Sequence, residues 1–355
     1  MNVAPRFIVT QSTRTSRISG AIALLVVIAL VAAPLWLSRN GIRLAGEMLV
    51  YIGLASLWNL LAGYGGLVSI GQQAYVGLGA YLLFAASMLL GIPPLLAVPL
   101  VGVAAAVIAL PVSALLFRLR DAYFAIGAWV VAEVFRLGAA QTSPLGGGSG
   151  VSLPIGIVKS IGATRETREI IIFDATLATT LLILFTLCVI TRSHWGLALQ
   201  AIRDSEVAAQ SSGVDVTRLK RLIYVAASAG AAMLGALVGL AKLRISPDAM
   251  FSVNDWTAFV IFITVIGGVG RIEGPIIGTI LFFVLRETLS DLGPFYLIAL
   301  GAVGVATMLL APKGIFGLIA ERHNIQFFPI ARSLTWVGRR DHPSSDAQLG
   351  IVRLN

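Results

Sequence analysis

The sequence predicts an all-α integral membrane protein with about ten transmembrane helices, and three observations support this class. Of its 355 residues, 57% are hydrophobic and only 12% are charged, roughly half the charged share of a soluble domain. Apolar runs such as Ala21–Ala33 are continuous and do not alternate, which favours helices over a membrane β-barrel. The basic residues lie mostly between the apolar segments, with a preference for one side of the predicted membrane.

Ten apolar segments approach or reach the length of about 20 residues that crosses the hydrocarbon core. The eighth and ninth are short, and glycines interrupt the pattern, so we expect some short or glycine-broken helices. The predicted spans are 18–38, 43–62, 67–90, 93–117, 121–140, 170–191, 219–242, 256–270, 275–290 and 294–311.

The distribution of Lys and Arg predicts that both termini are cytoplasmic. Seventeen of these 26 residues fall on the side of the N-terminus and seven on the other side. Arg136 and Arg286 lie within spans, near their outer ends. This asymmetry places the basic charge beside the anionic inner leaflet, so the pI near 10.2 is not a sign of nucleic-acid binding.

The chain divides into a cytoplasmic N-terminal segment at 1–17, a polytopic transmembrane domain at 18–318 and a cytoplasmic tail at 319–355. A cytoplasmic loop at 192–218 belongs to the middle part. Three arginines before Ile18–Leu37 also resemble the start of a signal peptide, but this apolar stretch is closer to a full span. We therefore expect an uncleaved first helix.

Composition argues against catalysis and against a metal site in this chain. The single cysteine, Cys188, excludes an internal disulfide scaffold, and we interpret it as a small apolar residue. His194, His323 and His342 have no ligand spacing. The sequence contains no G-x-x-x-x-G-K-[ST] motif, so it does not predict a P-loop for ATP. We expect no cofactor bound by this chain.

The outer loop from Gln141 to Glu169 opens with the glycine-rich stretch Ser143–Gly150, which is incompatible with regular helix or strand. Two interpretations stay open for this loop. It is a flexible linker, or it is an external surface that serves a partner or a gate.

The inner segment from Arg192 to Arg221 predicts a helical elbow at the membrane surface. Asp204 is a suitable N-cap for a short helix, Glu206 places negative charge in its first turn, and Gly213 suits a left-handed end. Residues Gly196–Arg203 predict a preceding helical turn or two. Exposed small alanines would let the elbow enter a groove on a soluble partner. An interfacial amphipathic helix without a partner is the alternative.

Two glycine-rich turns lead into predicted spans, at Gly63–Gly66 and at Gly267–Pro275. Transporters often carry interrupted helices at corresponding places in two halves, so we name Gly267, Gly268 and Gly270 as candidates for gating. The likeness between the two turns is loose, and an internal repeat is only a hypothesis.

A polar run at the start of the third span supplies candidates for a translocation path: Ser69, Gln72, Gln73 and Tyr75. Polar residues within spans are functional candidates by default. Neighbouring residues point in different directions on a helix, so we expect one glutamine to face a path and the other to bond a neighbouring helix.

Ionisable residues within the predicted spans are few and mostly lie near the ends. Glu133 and Arg136 are three residues apart and can pair on one helix face. A structural ion pair is the favoured interpretation, and a path lining is the alternative. Nothing resembles the carboxylate or histidine relay of a proton-driven pump.

Four stretches together resemble one family, the membrane-spanning permease subunits of bacterial ABC importers for branched-chain amino acids, of the LivM type. The resemblance extends from the second span to about Leu318. The stretches are Leu61–Gln72 with Gly77–Tyr81, Arg118–Ile126, Ala201–Ala209 with Gly213, and Gly267–Gly270 with Gly274, Pro275, Gly278 and Pro312–Leu318.

This resemblance implies that the elbow holds a coupling helix that docks in a separate cytoplasmic ATPase. The residues that match the motif or flank it are Arg203, Asp204, Glu206, Ala208, Ala209 and Gly213. It also implies a second homologous permease subunit, an extracytoplasmic solute-binding protein and a place in the bacterial inner membrane. ATP would be used by the partner subunits.

The substrate stays open, because Gln72-Gln73 stands where the family pattern has a histidine or Gln-Ala. Branched-chain amino acids are the first expectation. Urea, short amides, aromatic acids or a sugar are alternatives within the same architecture. A stand-alone secondary carrier and a membrane scaffold are alternatives from other classes.

Overall fold

The computed structural model describes residues 6–10, 14–289, 293, 295–311, 314–315, 317 and 333–337, and helices dominate this part of the chain. The elements in chain order are β1 (Arg6–Thr10), α1 (Arg14–Val31), α2 (Ala33–Trp36), α3 (Arg39–Asn59), α4 (Gln72–Leu89), α5 (Pro94–Leu116), α6 (Ala122–Ala140), β2 (Val151–Ser152), α7 (Ile155–Ile161), α8 (Arg165–Arg192), α9 (His194–Asp204), α10 (Glu206–Ser211), α11 (Val216–Lys242), β3 (Arg244–Ile245), α12 (Pro247–Met250), α13 (Phe259–Gly267), α14 (Glu273–Leu289), α15 (Tyr296–Leu310) and β4 (Ser333–Val337). Two π-helical turns, Leu60–Tyr64 and Asn254–Ala258, continue α3 and precede α13.

Helices lie on each predicted span, which confirms an all-α membrane protein. Among the described residues, six helical segments are long and apolar enough to cross a membrane. The other predicted spans coincide with shorter or less apolar helices, such as the 17-residue α14. The count of ten crossings and the orientation stay predictions. The six segments are Arg39–Tyr64, Pro94–Leu116, Ala122–Ala140, Arg165–Arg192, Val216–Lys242 and Pro247–Gly267.

Helix α11 is the centre of the bundle and packs along α4 and α5, with further contacts to α3 and α8. Of its most apolar stretch, 72% is buried, against 17% in the peripheral α6. A Cβ on Gly79 would clash with the carbonyl group of Ala232, and one on Gly235 with that of Val76. This reciprocal packing of glycine on backbone brings α4 and α11 into direct contact.

The glycine-rich outer loop has a defined structure. It forms two 3-10 turns, Ser143–Leu145 and Gly147–Ser149, and continues into β2, which pairs antiparallel with β3 through Val151 and Ile245. Gly150 has φ of +75° and lies against the carbonyl group of Ile245, a conformation and a space that suit glycine. The loop is thereby anchored to the connection after α11, which favours the surface interpretation over the flexible linker.

Strand β1 pairs antiparallel with β4, with Arg6 opposite Val337. This pairing brings the segment before α1 and a segment after α15 together. Of the Pro312–Leu318 motif the structure describes only residues 314, 315 and 317, and the tail at 319–355 lies outside the described residues except for β4.

Candidate coupling and translocation site

The elbow, residues 192–218, is packed closely against the helical bundle at its first turn. The hydroxyl of Ser193 accepts a hydrogen bond from the backbone N–H of Trp195 at 3.2 Å and begins α9. A Cβ on Gly196 would clash with the backbone of Thr191, so α8 and α9 approach closely. Leu199 is fully buried in the core of the bundle. Helix α9 is therefore attached to the transmembrane helices.

The predicted N-cap of α10 was wrong by one residue. Helix α9 continues through Asp204, and Ser205, in extended backbone, caps α10 by accepting a backbone N–H of the first turn at 3.3 Å. The carboxylate of Asp204 instead accepts from Arg203, whose Nε and Nη2 both lie at 3.2 Å. Glu206 lies in the first turn and Gly213 adopts φ of +85°, as predicted.

The two motif alanines of α10 face opposite ways. Ala209 is buried against Ile202 of α9 and Val216 of α11, in a small apolar cluster that holds the elbow together. Ala208 is exposed, and the neighbouring Val207 is 76% exposed. The expectation that the alanines are exposed is therefore wrong for Ala209, because its methyl group fills the space between the three helices.

The exposed face of α10 carries a charge that is held in place. The carboxylate of Glu206 forms an ion pair with the ammonium group of Lys220 in α11. Gly213 is exposed, and a Cβ built on it would meet nothing within 4 Å. The exposed face of α10 thus combines small and apolar residues, Val207 and Ala208, with the paired carboxylate of Glu206.

Arg203 reaches from the elbow to both glycine-rich turns. Its Nη1 donates to the carbonyl oxygen of Gly63 at 3.3 Å. A Cβ on Gly270 would lie 3.2 Å from the same nitrogen. The two turns therefore lie side by side at the inner end of the bundle, beneath the elbow.

Asn59, which sequence reasoning missed, joins these turns. Its Oδ1 accepts from the backbone N–H of Gly270 at 2.7 Å, and its Nδ2 donates to the carbonyl oxygen of Arg271 at 2.7 Å. The side chain is 2% exposed. A lone amide in an apolar span, one turn before Gly63, was the signal available in the sequence. We call Asn59, Gly63, Arg203 and Gly270 the inner junction.

The glycines named for gating break the helix as expected. Helix α13 ends at Gly267, which packs against the carbonyl group of Gly274 in α14. Gly268 has φ of +121° and Gly270 has φ of +80°, so the connection to α14 depends on conformations that glycine adopts freely. Their position places them at the inner junction.

Ser69 and Gln72 of the polar run hold the extended segment before α4. The carbonyl oxygen of Ser69 accepts from Nε1 of Trp58 at 2.8 Å, and its hydroxyl accepts from the backbone N–H of Gly71 at 3.2 Å. Nε2 of Gln72 donates to the carbonyl oxygen of Leu54 at 2.8 Å. Trp58 is a second residue that sequence reasoning missed.

Gln73, like Gln72, bonds a neighbouring helical segment. It is 1% exposed, its Oε1 accepts from the hydroxyl of Thr257, and its backbone N–H donates to that hydroxyl at 3.3 Å. Both glutamines are therefore used between helices, where only one was expected, and a role of Gln72 in a path stays a prediction.

A small cavity lies between α3, α4 and α11 and brings Ser69, Gln72 and Tyr75 together. It is narrow in this structure, with room for little more than a water molecule. The hydroxyl of Tyr75 lies 3.2 Å from that of Tyr224, and Oε1 of Gln72 is buried with no hydrogen-bond partner among the described residues. Ala227 adds an apolar wall. Of the predicted path residues, Gln73 and the three gating glycines do not line this cavity.

Two arginines within the predicted spans form ion pairs. Nη2 of Arg136 lies 2.6 Å from Glu133, as predicted, and Nη1 lies 2.8 Å from Asp248 beyond the helix end. Arg286 of α14 pairs with Glu47 of α3 at 2.7 Å. No group of three His, Cys, Asp or Glu residues that would hold a metal ion occurs in the part of the chain that the structure describes.

An apolar helical bundle with interrupted helices and a solvent-facing elbow defines a multi-pass membrane protein of the permease class. Residues 42–312 match the family described as "Branched-chain amino acid transport system / permease component", and the chain belongs to this family. The resemblance stated from the sequence motifs is thereby confirmed.

Two relatives of the chain share one description with each other. The chain is 27% identical over 307 residues to the high-affinity branched-chain amino acid transport system permease protein LivM of Salmonella typhimurium. It is 26% identical over 307 residues to the protein of the same description in Escherichia coli. Each comparison covers 80% of this chain and 72% of the relative. No solved structure matches the chain.

Proposed function

We propose that this chain is the membrane subunit of an ABC importer and forms the translocation path for branched-chain amino acids. The observation that carries the proposal is the elbow, which presents α10 to solvent while Leu199 and Arg203 attach it to the transmembrane bundle. An exposed helix of this kind transmits movement to the bundle only if a partner binds its exposed face. The elbow therefore favours a chain driven by a separate ATPase over a stand-alone carrier.

The chain acts by moving solute and performs no bond chemistry in this proposal. A cytoplasmic ATPase docks on Val207, Ala208 and Gly213, and ATP is bound by that partner. A second, homologous permease subunit completes the path, and a binding protein delivers solute at the outer face. We place the complex in the bacterial inner membrane, with ten crossings and both termini cytoplasmic.

The cavity beside Gln72 and Tyr75 is our candidate for part of the path. Its polar groups offer hydrogen bonds, and its apolar wall suits an aliphatic side chain. Ser69 lines the cavity and holds the backbone before α4, and Gln73, outside the cavity, holds the neighbouring helical turn. Gly267, Gly268 and Gly270 supply the movable connection at the inner end.

The proposal is tested by co-purification. The tagged chain is expressed with its genomic neighbours and purified in mild detergent, and a nucleotide-hydrolysing subunit is expected to come with it. Glu206→Arg places like charge beside Lys220, and Gly213→Trp adds a bulky ring to the exposed face. Both variants are expected to lose the ATPase.

Two control variants separate docking from general damage. Gly148→Trp adds the same ring in the outer loop, where a Cβ also meets nothing within 4 Å. Gly213→Asn keeps a residue that tolerates positive φ. Both should retain the ATPase. If no ATPase co-purifies and the chain alone moves leucine into liposomes, the carrier alternative is correct. If the complex imports urea or short amides and not leucine, the substrate proposal is wrong.

A further inference from the structure

Helix α9 and the transmembrane turns meet at the inner junction through hydrogen bonds to backbone groups. We propose that Arg203 and Asn59 are positioning residues that carry movement of the elbow into the two glycine-rich turns, so that these turns move as one body. This inference rests on the proposed function, because the elbow moves only if an ATPase drives it.

The first step of the link is Arg203. Its guanidinium donates through Nη1 to Gly63, while Nε and Nη2 donate to Asp204 at the end of its own helix. The planar group is thereby held at two edges, and its direction is fixed relative to α9. A displacement of α9 therefore pulls on the carbonyl group of Gly63.

The second step is the direct contact of the two turns. A Cβ on Gly63 would lie 2.6 Å from the backbone nitrogen of Gly270. Gly270 also lies next to the guanidinium of Arg203, since a Cβ on Gly270 would be 3.2 Å from Nη1. Since backbone meets backbone at this point, a displacement of one turn acts directly on the other.

The third step is Asn59, which stops the turns from separating. It bonds the N–H of Gly270 and the carbonyl oxygen of Arg271, so its amide supplies a partner to each of these backbone groups where the helix is interrupted. A buried side chain that satisfies both groups is costly to release, because each would be left without a partner. Pulling on Gly63 therefore moves the entry to α14 as well.

A rival explanation is that these residues only stabilise the fold. The different exposure of Arg203 and Asn59 makes the structural role and the transmission of movement predict different effects for Arg203. Arg203 has 44% of its side chain exposed, and it lies at the edge of the bundle, whereas Asn59 is 2% exposed. A merely structural role predicts a small effect for Arg203, while transmission predicts equal loss of coupling at both ends of the link.

The test measures coupling in proteoliposomes that hold the complete importer, with its ATPase, second permease and binding protein. The readout is the amount of radiolabelled leucine taken up per ATP hydrolysed. Arg203→Gln and Asn59→Asp are expected to lower this ratio about tenfold, a typical coupling between sites, while ATP hydrolysis continues. Arg203→Lys keeps one donor and is expected to restore part of the ratio.

Matched controls exclude general damage. Thr264→Val removes a buried hydroxyl that bonds Ala55 at 3.3 Å, between α3, which carries Asn59, and α13, which precedes Gly270. Arg218→Gln removes an exposed cytoplasmic charge at the start of α11. Both should keep the parent ratio.

The outcomes distinguish the two proposals. If the parent complex shows no ATP-coupled uptake, the proposed function is wrong, and so is the inference that Arg203 and Asn59 transmit movement of the elbow. If the parent is coupled and both Arg203→Gln and Asn59→Asp keep its ratio, the link alone is wrong. If Asn59→Asp fails to assemble, unchanged coupling in the assembled Arg203→Gln complex still overturns the inference.

Discussion

Two helix contacts in this molecule are both built on glycine, yet they hold the bundle in different ways. At the crossing of α4 and α11, Gly79 and Gly235 lie against the carbonyl groups of Ala232 and Val76, and the contact is steric. At the inner junction, the side chain of Asn59 accepts from the backbone of Gly270, which has positive φ, and Arg203 donates to the carbonyl oxygen of Gly63.

The difference indicates which contact is able to move. Interlocked backbones overlap as soon as either helix shifts, so the crossing has one arrangement. At the inner junction, the bonds of Asn59 keep the two turns together, while Gly268 and Gly270 beside them tolerate a change in φ, so the turns can move as one body relative to the rest of the bundle. The crossing of α4 and α11 is therefore suited to stay fixed, and we call this part the fixed body. The inner junction is suited to move, and we call it the joint.

The largest expected effect comes from filling the crossing. Gly79→Val places a branched side chain against the backbone of Ala232, which cannot turn away, and should destabilise the protein by about 3 kcal/mol. Thermal unfolding of the purified protein measures this loss. Gly138→Val in α6 is the control, because its Cβ meets nothing within 4 Å. Equal melting temperatures for the two variants would show that the crossing is not interlocked.

A smaller effect on stability and a larger one on transport are expected at the joint. Gly270→Ala forces φ of +80° on a residue with a Cβ, at a cost of about 1–2 kcal/mol, and crowds Arg203. Leucine uptake should fall further than this loss of stability explains. Gly91→Ala is the matched control, with φ of +66° and nothing within 4 Å. If both variants lower uptake equally, strain alone accounts for the effect and the joint has no special role.

The bond between Gln73 and Thr257 tests a polar contact inside the fixed body. Gln73→Leu, Thr257→Val and the double variant form a cycle in which the pair should contribute about 1 kcal/mol to the free energy of unfolding. Thermal unfolding of all four proteins measures it. Additive effects of the two changes would mean that the bond contributes nothing.

The smallest effect is expected at the surface of the elbow. Lys220→Met removes the partner of Glu206, and the free energy of unfolding should change by about 0.5 kcal/mol, because a partly exposed ion pair is weak. Added salt should reduce the difference. A loss of more than 2 kcal/mol would place this ion pair among the contacts that hold the elbow together, beside Ala209 and Ile202.

The helices and the elbow were predictable because their signals are local. Continuous apolar runs mark the spans, and Glu206 and Gly213 mark the short helix through their own backbone preferences. The cap at Ser205 was missed because Asp204, one residue earlier, is an equally good cap by type, and only the extent of α9 decides between them.

The inner junction was beyond the reach of local reasoning. Asn59 bonds a group 211 residues further along the chain, and Gln73 one that is 184 residues away. Spacing along one helix carries no information about such partners. The polar type of each residue predicted that it would need a partner, and the fold determines which one it has.

The strand pair at the outer surface has a consequence for the order in which the protein is assembled. Arg244 donates to the carbonyl group of Ser149, 95 residues earlier in the chain. At ribosomal speeds of about 5–20 residues per second, the outer loop waits roughly 5 to 20 seconds for β3 to be synthesised. During that interval the edge of β2 has no partner strand, so the outer loop closes only after α11 has been synthesised.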